Sequence, residues 1–155
     1  MINVKAKIEG EPDVPPFIRV FEYRDKSDDL IFYSMVERIK EKLAQNLKIN
    51  TNESLLFYCA YVVSELRDHK SIDSIEKNAS RILSTDKVMI GVPETLRKVT
   101  FEAIVDNMPN KEIITFDEPM PTSSYILTAT TAKQKQKQYK QKQQQEQQSF
   151  NQGNF

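Results

Sequence analysis

The sequence predicts an α+β fold, with a core of three helices followed by a β-hairpin, a short β-rich arm at the N-terminus and a disordered tail at the C-terminus. Two periodicities and one composition bias carry this prediction. Apolar residues recur every three or four positions within 30–83 and every second position within 98–116, whereas 133–148 contains nine Gln and five Lys. The predicted parts are an N-terminal extension at 1–27, a domain at 28–121 and a tail at 122–155.

The N-terminal arm is predicted to form two strands. Apolar and polar residues alternate from Ile2 to Ile8, a proline-rich turn follows, and the alternation resumes from Phe17 to Tyr23. A loosely packed extension explains the same residues equally well, so both interpretations stay open at this level.

The first helix is predicted to begin near Ser27. The Ser27 hydroxyl can accept a hydrogen bond from a free N–H group of the first turn, and Asp28 and Asp29 suit the positive end of the helix dipole. The apolar residues that follow at spacings of three and four form one stripe: Phe32, Val36, Ile39, Leu43 and Leu47. Charged residues fill the other side, so the helix is amphipathic.

The second helix is predicted to be buried on several sides. Asn50 followed three residues later by Glu53 resembles a capping box, and no charged residue occurs between Leu55 and Val63. A domain of this size has a limited interior. Either the other helices of the chain cover the second helix, or partner subunits cover part of it.

A third helix and a hairpin complete the predicted domain. Ser71 is the predicted N-cap of the helix. Its apolar stripe consists of Ile72, Ile75, Ala79, Ile82 and Leu83. Gly91 allows a positive φ, and Pro93 can open one more helical turn. Two alternating strands on either side of a turn-rich loop at 106–111 then form the hairpin.

The composition argues against several kinds of catalytic site. The single histidine, His69, cannot build a nickel or zinc centre that needs several imidazoles, and the single cysteine, Cys59, lies in an apolar helix where a packing role is expected. Three glycines are too few for a phosphate-binding loop. We therefore expect no catalytic, cofactor-binding or metal-binding residue in this chain.

The charge balance and the hydropathy restrict location and partners. Lys and Arg together number 22, as do Asp and Glu, so a nucleic-acid partner is not expected. No run of about 18 apolar residues occurs, and the N-terminus lacks the apolar stretch of a signal peptide. We therefore expect a cytoplasmic protein that does not contact a membrane.

Six segments follow one another in an order that a known family shares. They are Asp29–Phe32, Asn46–Asn50, Leu66–His69, Leu83–Glu94, Phe101–Val105 and Ile113–Met120. Together they resemble the gamma subunits of the heterotrimeric ureases of bacteria and archaea, over Leu30 to Pro121. The sharpest marker is Leu83–Glu94, which resembles the family's Leu-Thr-Arg-Asp-Asp-Val-Met-Glu-Gly-Val-Pro-Glu. This sequence departs from the family where His69 replaces Gly, Ile90 replaces Glu and Asp117 replaces His.

The resemblance implies a non-catalytic structural subunit of a nickel-dependent urease, which hydrolyses urea to ammonia and carbamate. In this family the nickel ligands, which include several histidines and a carbamylated lysine, lie in the large alpha subunit. The gamma subunit supplies none of them. The resemblance also implies alpha and beta subunits as partners, in a complex that closes around a threefold axis.

A candidate interface with those partners is an apolar segment beside Gly91. It consists of Val88, Met89, Val92 and Pro93. A cyclic complex needs complementary surfaces on each chain, and a short connector rarely needs so many apolar residues for its own packing. Burial in the core of this chain is the alternative role for each of the four.

Two other classes of function stay open. A non-enzymatic binding or scaffold module would use its Lys- and Gln-rich tail to recruit an anionic partner, since 122–155 carries five basic residues and one acidic residue. The simpler interpretation of that tail is a solvated segment. A self-contained enzyme is the least supported class, because the histidines and glycines for it are missing.

Overall fold

The computed structural model describes residues 1–121 and 140–146. Its strands are Ile2–Glu9 (β1), Phe17–Tyr23 (β2), Lys98–Val105 (β3) and Glu112–Asp117 (β4). They form one antiparallel sheet in the order β2-β1-β3-β4. The main helices are Lys26–Ala44 (α1), Thr51–Arg67 (α2), Ile72–Asn78 (α3) and Val92–Thr95 (α4), with 3-10 turns at Ala79–Arg81 and Thr85–Lys87. The predicted α+β class and the predicted hairpin of β3 and β4 are confirmed.

The N-terminal arm is part of the core. β1 pairs with β2 on one side and with β3 on the other, from Ile2 opposite Val105 to Glu9 opposite Lys98. Its four apolar side chains are completely buried: Ile2, Val4, Ala6 and Ile8. The two predicted strands are confirmed, and the alternative of a loosely packed extension is wrong. β1 and β2 precede the boundary predicted at residue 27 but share one sheet with β3 and β4, which follow it. Residues 1–120 accordingly form one compact unit.

The sheet buries one face and exposes the other. Alternate residues of a strand point to opposite faces, and the buried positions of β1, β3 and β4 share one face. On that face the ring centroids of Phe101 and Phe116 lie 5.2 Å apart, and Tyr58 of α2 lies 5.5 Å from Phe116. The helices therefore pack on this side. Lys5 and Ile113 lie on the opposite face and are exposed.

α2 is the central helix of the core. Its buried residues include Leu55, Leu56, Tyr58, Cys59, Val62, Val63 and Leu66. Asn50 Oδ1 accepts a hydrogen bond from the Glu53 N–H at 2.8 Å, and Glu53 Oε1 accepts one from the Asn50 N–H at 3.2 Å. The predicted capping box is confirmed. The sheet and the other helices cover the apolar faces of α2, so the fold explains its composition without a partner.

Asn50→Ala is expected to lower the free energy of unfolding by about 1 kcal/mol, since it removes the N-cap of the most buried helix. Urea denaturation followed by circular dichroism measures the change. Asn52→Ala is the matched control, because Asn52 is exposed in the same first turn and caps nothing. An equal loss in both variants would contradict a capping role for Asn50.

α1 differs from its prediction at both ends. Its N-cap is Asp25, whose Oδ1 accepts a hydrogen bond from the Asp28 N–H at 2.9 Å, so Ser27 lies inside the first turn. The helix ends at Ala44, and Leu47 beyond it is 51% exposed. The stripe is therefore shorter than predicted, with Phe32, Val36 and Ile39 buried and Leu43 half-buried.

The third helix is also shorter than its apolar pattern. Ser71 caps it as predicted, since Ser71 Oγ accepts a hydrogen bond from the Ser74 N–H at 3.2 Å. α3 nevertheless ends at Asn78 and continues as a 3-10 turn. Ile75, Ala79 and Leu83 still reach the core, because a tighter turn keeps residues three or four apart on one side.

Residues 140–146 form a short helix (α5) whose side chains are all exposed. The sequence predicts a disordered tail, so the helical backbone of these seven residues differs from the prediction. None of their side chains is buried. The remainder of the predicted tail, 122–139 and 147–155, lies outside the described residues. Within 1–121 and 140–146, no helix combines the length and the apolar character needed to span a bilayer.

Candidate assembly interface

The predicted interface lies in a turn that is fixed on both sides. Val88 forms a parallel bridge with Ile49, in which the Met89 N–H donates to the Ile49 carbonyl at 2.9 Å and the Ile49 N–H donates to the Lys87 carbonyl at 3.1 Å. Gly91 follows with a φ of 90°, a value that favours glycine. The turn between the bridge and α4 therefore has little conformational freedom.

The four predicted interface residues separate into two groups. Val88 is 2% exposed, Val92 is 3% exposed and Pro93 is buried, so these three belong to the core. For these three the alternative role, burial in the core of this chain, applies, and only part of the predicted segment is open to a partner. The bridge to Ile49 holds Val88 in the core, and Val92 and Pro93 are buried in α4, which packs against α2. Met89 is 47% exposed and stays a candidate contact.

Ile90 is the residue that the prediction omitted. It is fully exposed at the tip of the turn, next to Met89. A signal for it is present in the sequence, because an isoleucine stands here where the resembling family has a glutamate. Two adjacent exposed apolar side chains on a fixed turn form a small surface that suits contact with another chain. We call Met89 and Ile90 the turn tip.

A second exposed apolar surface lies on α1. Leu30, Ile31 and Met35 are all exposed and line a shallow depression with Ser34 and Arg38. Leu30 and Ile31 are adjacent, and Met35 follows Ile31 by four residues, so the three side chains lie on one side of the helix. The prediction followed only the buried stripe of α1. A search for apolar residues three or four positions apart finds this second side as well, because three of the five residues that line the depression are apolar.

The single cysteine and the single histidine of the chain, Cys59 and His69, both lie within the described residues. Within them, no group of three His, Cys, Asp or Glu side chains lies close enough together to hold a metal ion. Cys59 is completely buried, and burial raises the pKa of its thiol well above the ordinary value. A thiol in this state is a poor nucleophile. His69 lies in the exposed turn after α2 with a φ of 55°.

One ion-pair cluster holds the start of β1 against the end of β3. Asp106 Oδ2 accepts a hydrogen bond from Arg67 Nε at 2.8 Å, and Asp106 Oδ1 lies 3.6 Å from the α-amino group of Met1. The hydrogen bond from Arg67 is the main cause that lowers the pKa of Asp106. Asp106 is half exposed, so water screens this cluster and its contribution is modest.

The lowered pKa of Asp106 predicts a pH-dependent contribution to stability. A carboxyl group with a depressed folded-state pKa stabilises the fold above its unfolded pKa, and this stabilisation is lost as the pH falls through the folded pKa. Asp106→Asn is expected to cost less than about 1 kcal/mol at pH 7 and almost nothing at pH 2. Urea denaturation at both pH values tests this, with exposed Asp117→Asn as control. A pH-independent difference would contradict the ion-pair explanation.

Comparison with known proteins decides the family. The family described as "Urease, gamma subunit" matches residues 22–120. The chain belongs to the urease gamma subunit family. A protein named urease subunit gamma from Halalkalibacterium halodurans is 30% identical over 95 residues, which cover 61% of this chain and 93% of that relative. A protein of the same name from Laribacter hongkongensis is 30% identical over 93 residues, which cover 60% and 91%.

The urease gamma family match begins near the end of β2. Because 95 residues make up 93% of the Halalkalibacterium relative, only about seven of its residues lie outside the match. A hairpin as long as β1 and β2 therefore has no counterpart of its length in that relative. The central strand β1 therefore lies in a part of the chain that the family match does not cover.

Proposed function

We propose that this chain is the non-catalytic structural gamma subunit of a nickel-dependent urease complex, which hydrolyses urea to ammonia and carbamate. The observation that carries the proposal is the family match over residues 22–120. Alpha and beta subunits are its proposed partners, in a threefold hetero-oligomer located in the cytoplasm. The family match gives no support to the alternative of a scaffold module with an anion-recruiting tail.

The role of this chain in the complex is structural. Its described residues provide no metal-binding cluster and do not fit a nickel pair, so we assign the nickel to the alpha subunit. Metal ions there would act as Lewis acids on the urea carbonyl. This chain instead offers a compact domain at 1–120 and exposed apolar surfaces. The turn tip is the proposed contact, because it lies in the segment that resembles the family most closely.

Co-expression of this chain with the alpha and beta subunits of the same urease tests the proposal. We expect the three chains to elute together in size-exclusion chromatography, with urease activity in that fraction. Omission of this chain should abolish the complete complex. An active alpha–beta complex that excludes this chain would contradict the proposed function.

The isolated chain is expected to bind no stoichiometric nickel and to hydrolyse no urea, because one histidine cannot form a paired metal site. Equilibrium dialysis with nickel and an ammonia-release assay measure the two properties. Weak binding that His69→Ala leaves unchanged would be incidental. Tight binding that His69→Ala abolishes would contradict this prediction.

A further inference from the structure

A groove of about 450 Å³ lies between β2, α1 and the beginning of α2. Four apolar side chains line it: Phe21, Met35, Ile39 and Leu56. Ile39 and Leu56 are buried, whereas Arg19 and Arg38 line the same groove and are exposed. The groove thus combines an apolar interior with two guanidinium groups at its open side. We call it the β2 groove.

Neither Arg19 nor Arg38 forms an ion pair with a carboxylate of residues 1–121. Glu53 also lines the groove, but its carboxylate lies 2.7 Å from Lys42 Nζ and accepts a hydrogen bond from Asn50. Burial raises the pKa of Glu53, but the hydrogen bonds from Lys42 and Asn50 and the positive charges of Lys42 and Arg38 lower it on balance. The Arg19 guanidinium lies 5.7 Å from the Phe17 ring centroid. The groove therefore complements a ligand that is apolar and anionic.

The same groove lies beside the free edge of the sheet. β2 pairs with β1, and no other strand of the described residues pairs with it. The opposite edge, β4, is partly covered, because the Thr115 N–H donates to Glu76 Oε1 of α3 at 2.9 Å. β2 has seven residues and no proline, and within residues 1–121 and 140–146 no hydrogen bond of this kind covers its free edge. An exposed edge of this kind is a template for another strand.

The edge and the groove share two side chains. Arg19 and Phe21 belong to β2 and also line the groove. In a strand added to β2, alternate side chains would point to this same face. Residues two positions apart on the added strand would then reach the apolar interior and the guanidinium groups together.

We propose that the free edge of β2 and the β2 groove dock an extended segment of a partner subunit, which carries an apolar residue and a carboxylate two positions apart. The backbone of the segment pairs with β2, the apolar side chain enters the groove, and the carboxylate binds Arg19 and Arg38. This inference deepens the proposed assembly function, on which it rests for the source of the segment.

A second copy of this chain fits the site poorly. Two copies could pair their β2 strands antiparallel, with Val20 opposite Val20 and the buried faces of both sheets on the same side. Each Arg19 would then lie opposite Phe21 of the other copy. Two Arg19 and two Arg38 side chains would then face one groove region with no added carboxylate. Like charges at this separation repel each other. An acidic partner segment removes this repulsion.

A synthetic peptide tests the docking site without any partner subunit. The probe is a fluorescent, acetylated and amidated peptide, Ser-Leu-Thr-Glu-Thr-Leu-Ser, which places Leu, Glu and Leu on one face of a strand. We expect fluorescence anisotropy to show binding to the full chain. R19E/R38E should weaken the binding at least about tenfold, and K5E/K48E, with the same charge change at exposed positions elsewhere, should not. A peptide with Lys in place of Glu should bind R19E/R38E instead.

Backbone pairing is tested with two N-methylated forms of the probe. Methylation at alternate positions removes the N–H groups on one side of the strand only. We expect one form to lose binding and the other to keep it. Equal binding of both forms, or equal binding by R19E/R38E and K5E/K48E, would overturn the proposal. Self-association of the full chain that R19E/R38E abolishes would also overturn it, in favour of a second copy.

Assembly of the complete complex distinguishes a failure of the docking site from a failure of the proposed function. If R19E/R38E fails to assemble with the alpha and beta subunits while K5E/K48E assembles, the docking site is supported. If the wild-type chain assembles and R19E/R38E assembles equally well, only the docking site is overturned. If the wild-type chain does not assemble at all, the proposed function fails, whereas peptide binding still decides whether the groove is a docking site.

Discussion

Val4→Asp is expected to unfold the domain or to bring it close to unfolding. Val4 has no exposed surface and lies between Phe21 of β2 and Ala103 of β3. A carboxylate there would be buried without a partner, at a cost of about 3–5 kcal/mol or more. A domain of this size has a total stability of about 5–15 kcal/mol. Urea denaturation followed by circular dichroism measures the loss.

Lys7→Asp is the matched control in the same strand. Lys7 lies on the exposed face of β1, opposite Ile18 and Thr100. Its replacement removes one exposed ion pair with Glu9, so we expect a loss within about 1 kcal/mol. If Val4→Asp and Lys7→Asp had equal denaturation midpoints, β1 would not be the central strand that the fold describes.

Met89→Asp and Ile90→Asp are expected to leave the chain folded and to prevent its assembly with the urease alpha and beta subunits. Both side chains are exposed on the turn between the Ile49–Val88 bridge and α4, so a charge there costs the monomer little. In a desolvated contact the same charge would cost several kcal/mol. A cost of about 3 kcal/mol weakens association more than a hundredfold.

Ile113→Asp is the control for this prediction. Ile113 is 53% exposed, close to the value for Met89, and lies in β4 on the outer face of the sheet. Circular dichroism of each purified variant reports the fold, and size-exclusion chromatography of the co-expressed chains reports assembly. Normal assembly of both turn-tip variants would show that the turn tip is not an interface. Unfolding of either monomer would show that the turn supports the core.

Features set by neighbouring residues were predictable from the sequence. The capping box of Asn50 and Glu53 needs only residues three positions apart, and the positive φ of Gly91 follows from the lack of a side chain. The prediction of Ser27 as the N-cap of α1 is wrong, because Asp25, two residues earlier, is also a good cap residue and caps the helix. Only the hydrogen bond to the Asp28 N–H distinguishes them.

Features set by distant residues were not predictable in the same way. The alternation within β1 predicts a strand, but it does not predict that β3, which begins at Lys98, pairs with it. The interface prediction has the same weakness. Apolar character alone does not separate Val88, which the bridge to Ile49 buries, from Met89, which the same bridge leaves exposed.

The central position of β1 has a consequence for biosynthesis. The ribosome makes β1 first, and about 90 residues separate it from its partner β3. At a synthesis rate of about 5–20 residues per second, β1 waits roughly 5–20 seconds for that partner. During this interval β1 can pair with β2, but the edge that later meets β3 stays open. The nascent chain is therefore most vulnerable to misassociation before its last strands emerge, and closure of the sheet completes folding.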